Sequence, residues 1–232
     1  MALMGNKGVK WLFPVSLNQR CSMNMQLTDI TLVVDRSGSM DSIRSEAEKG
    51  INSFLGQQKA LPGKAVLTIV QFDSEYEFVH NGVPLAKVGP YQLVPRGSTA
   101  LLDAMGRAIK ETGKRLDKMP EAARPGLVIF VVMTDGQENS SVKYTKAKVN
   151  EMVRHQQDVY NWKFTFLGAN QDAMAEAKDL GIDQDGAADF DLCMVADAFD
   201  AMNNKATRMR QQRQKGLEAD NRFTQSERDR MR

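Results

Sequence analysis

Four short apolar runs constrain this chain more than any other feature: DITLVVD (29–35), AVLTIVQF (65–72), LVIFVVMTD (127–135) and WKFTFLGA (162–169). Each is rich in Val, Ile and Phe and apolar on both faces, the pattern of a strand enclosed within a parallel sheet. Helical stripes lie between them. Ile43, Ala47, Ile51, Phe54 and Leu55 form one, Leu101, Leu102, Met105, Ile109 and Leu116 a second, and Val149, Met152 and Val153 a third. A fourth helix around 173–180 ends at Gly181, a suitable left-handed cap. Alternating strands and helices over this length predict a doubly wound α/β fold with a mostly parallel sheet and helices on both faces.

One segment breaks the alternation. In QFDSEYEFVHNG only Asp73 and Ser74 separate two apolar runs, too few for a parallel crossover, so 76–79 is expected to be an antiparallel edge strand. Residues 81–97 read as a loop, punctuated by Gly82, Pro84, Gly89, Pro90 and Pro95. A last short strand is expected at 190–194, followed by a helix carrying Phe199, Met202, Ala206 and Met209. The organisation that follows is an N-terminal extension (1–26), a folded domain (27–195), a C-terminal helix packing on or extending it (196–214) and a basic, flexible tail (215–232).

With 232 residues, 42% hydrophobic and 26% charged, the chain can bury a full core without disulfides. Its formal charge of +2 gives the body of the protein no argument for nucleic acid or a membrane surface. Residues 203–232 hold nine basic against four acidic residues, but the interspersed acids and scarce aromatics lack a phosphate-binding pattern. Nucleic acid is therefore not expected, except through that tail. Cys21 and Cys193 form no CxxC pair, and His80 and His155 fit no metal-site spacing. No apolar run approaches the ~18–20 residues of a membrane span. The first 21 residues resemble a secretory signal poorly, being interrupted by Pro14 and followed by Asn18, Gln19 and Arg20. A cytoplasmic protein is the expectation.

The chemistry concentrates where strands end. The first run closes on Asp35 and leads into DRSGSM, with Ser37 and Ser39 at alternate positions. Thr99 precedes the second helix, and Asp135 ends the third run in a TDG turn. In a doubly wound sheet, ligands bind beyond the carboxyl ends of the strands, where strand order reverses. If the strands ending in Asp35 and Asp135 are neighbours there, two carboxylates share a crevice and raise each other's pKa unless a cation intervenes. An all-oxygen set suits Mg²⁺, and Mn²⁺ or Ca²⁺ could take its place. Gly38 is expected to permit a tight backbone between the two serines, and Asp41 to act as a helix cap rather than a ligand.

Asp35-x-Ser37-x-Ser39, then Thr99, then Asp135 resembles the metal-ion-dependent adhesion site of von Willebrand factor A domains, with the resemblance covering about residues 27–195. It implies that these five residues coordinate the ion, some directly and some through water. It implies also a non-enzymatic binding module whose metal is completed by an Asp or Glu of a protein partner. By family analogy that partner could belong to an ATPase-containing assembly. Two alternatives belong to other classes. One is a Mg²⁺-dependent phosphohydrolase using Asp35, although Ser37 stands where a dehalogenase-like enzyme has its acid/base carboxylate and no phosphate loop is present. The other is a structural accessory protein whose metal only stabilises the fold.

Overall fold

The computed structural model describes residues 23–169 and 173–232. The signal-like stretch and Cys21 lie outside the described residues. The elements run β1 (Asn24–Asp35), α1 (Arg44–Ala60), β2 (Lys64–Phe72), β3 (Tyr76–Pro84), α2 (Leu101–Asp117), β4 (Pro125–Thr134), α3 (Lys146–Tyr160), β5 (Lys163–Ala169), α4 (Ala173–Asp179), β6 (Ala187–Phe190), α5 (Val195–Gln214) and α6 (Gln225–Arg230). They build one six-stranded sheet of order β3-β2-β1-β4-β5-β6. All pairings are parallel except β2–β3, so the expected reversed edge strand is present.

Strand periodicity decides which side chain meets which layer. In β1, Ile30, Leu32 and Val34 join the core beneath α1 and α5, while Val33 faces the core beneath α2 and α3. In β4, Leu127, Ile129, Val131 and Met133 face the first layer, and Val128, Phe130 and Val132 the second. On the same side as the second layer sits a part-buried pair: Arg115 Nη1 and Nη2 donate to the two carboxylate oxygens of Asp29 at 2.7 and 3.0 Å.

Three local expectations are corrected. The edge strand continues through Gly82 to Pro84, where a loop was expected, because Gly82 N donates to Thr68 Oγ1 and keeps the hairpin paired. The last strand is 187–190 rather than 190–194; residues 192–194 instead form a single 3-10 turn, with Asp191 Oδ1 accepting from Cys193 N. Residues 215–232 pack onto the domain instead of forming a flexible tail, although many of their side chains stay exposed. Ala219, Phe223 and Met231 are buried with α5, and Thr224 and Glu227 form a reciprocal capping box at α6. Several arginines of α5 and the segment after it have partners within the chain: Arg208 bonds Glu227, Arg213 the Gly126 carbonyl, Arg222 Asp220 and Arg228 the Ala187 carbonyl.

Candidate metal centre

β1 and β4 are neighbours, and their register pairs Val34 with Met133. One step further, Asp35 stands opposite Thr134, and Thr134 Oγ1 donates to Asp35 Oδ2 at 2.5 Å. The other carboxylate oxygen, Oδ1, accepts from Ser37 N at 2.7 Å, which folds the first loop back over the strand end. Ser37 Oγ then lies 3.1 Å from Ser39 Oγ, and Ser39 Oγ donates to Asp135 Oδ1 at 2.8 Å. A series of hydrogen bonds through Ser37 and Ser39 therefore joins the end of β1 to the end of β4.

Thr99 comes from the second loop. It is buried, and its hydroxyl borders the same space: a Cβ built on Gly136 would stand 3.3 Å from Thr99 Oγ1 and 3.6 Å from Ser39 Oγ. Gly136 thus leaves open the space that Thr99, Ser39 and Asp135 share. All five residues singled out by sequence meet at one edge. Ser98 is exposed, and Asp41 lies exposed in a 3-10 turn (Gly38–Ile43) without a capping bond. Gly38 is not the pivot expected, since a Cβ there would make ordinary contact, 3.6 Å from Gly97 O. The left-handed residue is Gly97, at φ +69°, whose carbonyl accepts from Gly38 N.

The scaffold around these five residues was not legible in the sequence. No side chain of its own caps α2; instead Glu138 Oε2 from the third loop accepts from Leu102 N at 2.8 Å, and Asn139 Oδ1 accepts from Thr99 N at 2.9 Å. In return Asp103 accepts from the backbone of Val142, Lys143 and Tyr144. Glu138 and Asn139 both lie in the QENSS run after Asp135, so the signal was a polar cluster beside a known strand end.

The electrostatics suit a cation. Burial raises Asp35, the hydrogen bonds from Thr134 and Ser37 oppose that, the charge of Asp135 adds to it, and the carboxyl ends at about 6. Burial likewise holds Asp135 above its ordinary value, against the Ser39 hydrogen bond. Both effects disfavour two ionised carboxylates in a partly dry crevice, and a divalent ion would reverse them. Among the described residues no group of three or more His, Cys, Asp or Glu could hold a metal; an ion at this edge would rest on hydroxyl oxygens as well as on the two carboxylates. Two carboxylates and three hydroxyls are a hard donor set, fitting Mg²⁺ or Mn²⁺ better than a soft ion.

The von Willebrand factor type A domain family matches residues 29–204. No curated protein sequence matches the chain. Among solved structures, the pilus adhesin SpaC from Lactobacillus rhamnosus GG in its open conformation is 15% identical, with a TM-score of 0.59 over 81% of this chain and 31% of that one. A von Willebrand factor type A protein from Catenulispora acidiphila is 20% identical, with a TM-score of 0.54 over 81% of this chain and 43% of that one. Proximal thread matrix protein 1 from the mussel byssus, described with a zinc-occupied adhesion-site motif, is 13% identical, with a TM-score of 0.54 over 81% and 49%. This chain spans less than half the length of each of these proteins.

Proposed function

We propose that this chain, which belongs to the von Willebrand factor type A domain family, is a Mg²⁺-dependent protein-binding module. Asp35, Ser37, Ser39, Thr99 and Asp135 hold the ion, and an Asp or Glu of the partner completes its coordination. The observation that carries this reading is the hydrogen-bonded series from Asp35 through Ser37 and Ser39 to Asp135, with Thr99 bordering the same gap. Three of the five donors are neutral hydroxyls, so Asp35 and Asp135 do not over-compensate the double charge of the ion, and a carboxylate from outside can still be accepted in its coordination shell. The names of the similar proteins, a pilus adhesin and a byssal matrix protein, agree with a non-enzymatic role.

The partner is a protein with an exposed carboxylate, and an ATPase-containing assembly is a candidate. Among the described residues no helix is long and apolar enough to cross a membrane. We place the protein in the cytoplasm, a reading supported by the free, exposed Cys193. Cell fractionation tests that placement, and recovery outside the cytoplasm would reject it. For the function, calorimetric titration with Mg²⁺ and Mn²⁺ should give one site per chain. Capture of partners should then fail with chelator and with the Asp35→Ala and Thr99→Ala variants. Identical recovery under every condition would reject metal-mediated recognition.

A further inference from the structure

Asp73 lies one residue beyond β2, on the strand that flanks β1 on the side away from β4. Its side chain is only 3% exposed. Oδ2 accepts from Arg36 Nε at 2.9 Å and from Arg96 Nε at 2.8 Å, while Oδ1 accepts from Glu75 N at 2.6 Å. Its carbonyl accepts from Ala100 N at 3.0 Å. The two arginines belong to different loops of the candidate centre. Arg36 stands between Asp35 and Ser37, and Arg96 is three residues before Thr99. They are also joined directly, since Arg96 N donates to Arg36 O at 2.7 Å. Next to Asp73, Ser74 Oγ accepts from Ser98 N at 3.1 Å. The Asp73–Ser74 turn is thus the surface on which residues 96–100 are laid.

We propose that Asp73 is a positioning residue for the metal centre, its carboxylate tying Arg36 of the first loop to Arg96 of the second and so fixing Ser37 and Thr99 relative to one another. The inference rests on the metal-binding reading above. A shared carboxylate suits this task because charge-assisted N–H···O bonds are directional and short. It is also hard to replace. Arg36 is 5% exposed, and its Nη2 is buried without a partner, so losing Asp73 would leave the guanidinium with Glu77 as its remaining carboxylate. The ligands would then lose a common reference while each stayed chemically intact. Groups that orient metal ligands in this way typically change affinity by about 10- to 100-fold when removed.

The test is calorimetric titration of the full chain with Mn²⁺, alongside melting of the metal-free protein. Asp73→Asn should weaken Mn²⁺ by about 10- to 100-fold. Arg96 is half exposed, so Arg96→Gln should lower the metal-free melting temperature by no more than about 4 °C and still weaken Mn²⁺ by about tenfold. Because Arg96 acts through Thr99, Arg96→Gln should add less than about twofold in a Thr99→Ala background. A folded Asp73→Asn protein with wild-type affinity would overturn the proposal, and so would a full, additive effect of Arg96→Gln in the Thr99→Ala background. Should Asp73→Asn not fold, Arg96→Gln decides alone, wild-type affinity counting against the proposal. Failure of the unaltered protein to bind Mn²⁺ at all would instead reject the metal site, and this inference with it.

Discussion

Ser39 and Asp135 stand 96 positions apart in the chain, yet Ser39 Oγ donates to Asp135 Oδ1 at 2.8 Å. The bond closes the first loop on the third, and it places a hydroxyl where the excess negative charge of the crevice lies. Replacing Asp135 by Asn should therefore act in opposite directions on two observables. Mn²⁺ affinity should fall at least about tenfold, equivalent to roughly 1.4 kcal/mol. The metal-free protein should melt at the same or a higher temperature, because a half-buried charge facing Asp35 is gone. Thermal melts with and without Mn²⁺ check both halves, and a fall in the metal-free melt would count against the electrostatic account.

The acidity of Asp35 predicts a pH dependence with a definite sign. Burial is the largest cause of its rise to about 6, with hydrogen bonds from Thr134 and Ser37 opposing and Asp135 adding. A carboxyl raised on folding contributes stability that is fully present below its ordinary value near 3.8 and is lost as pH rises through about 6. Metal needs the ionised form, so affinity should fall by about tenfold per pH unit below pH 6 and level off above it. Titrations across that window measure the slope. A flat profile would place the ion elsewhere.

Gly106 on α2 is where the third loop comes to rest. A Cβ added there would overlap the ring of Tyr144, whose backbone N–H donates to Asp103 Oδ1. Gly106→Ala should cost about 1–3 kcal/mol through overpacking. It should also weaken Mn²⁺ binding several-fold, because the loop bearing Asp135 loses its seat on the helix. Urea unfolding and metal titration together distinguish this from a purely local clash, which would lower stability alone.

The pair formed by Asp29 and Arg115 lies in the α2-side layer, well before the strand end that carries Asp35. Asp29→Ala would leave the guanidinium with Thr68 Oγ1 as a weak partner at 3.4 Å. A loss of about 3 kcal/mol is expected, the lower end for breaking a buried pair, because Arg115 is partly exposed and can reach water. Chemical denaturation measures it, and metal affinity at saturating folded protein should not change.

Phe223 anchors the C-terminal segment, with Lys205 Nζ 4.0 Å above its ring and Phe223 N donating to the Asp185 carbonyl. Phe223→Ala should cost about 3 kcal/mol, or roughly 6–12 °C in melting temperature for a chain of this size. Scanning calorimetry checks this. A shift under about 2 °C would mean that residues 215–232 add little to the fold.

The amino-acid pattern by itself determined the sheet, its reversed edge and the five oxygen-bearing residues, because two-sided apolar runs, a two-residue connection and polar oxygens at strand ends or a helix start are all local signals. Asp73 could have been read the same way, since it too follows the last residue of an apolar strand. What only the tertiary structure decided is which distant groups complete one another. Glu138 capping α2, Thr134 bonding Asp35, and Asp73 gathering two arginines each depend on strand order and register, which bring residues tens of positions apart within hydrogen-bonding distance. The C-terminal segment shows the same limit. Its charges looked solvated because composition counts charges, whereas the fold supplies Glu227, Asp220 and buried carbonyls to meet them.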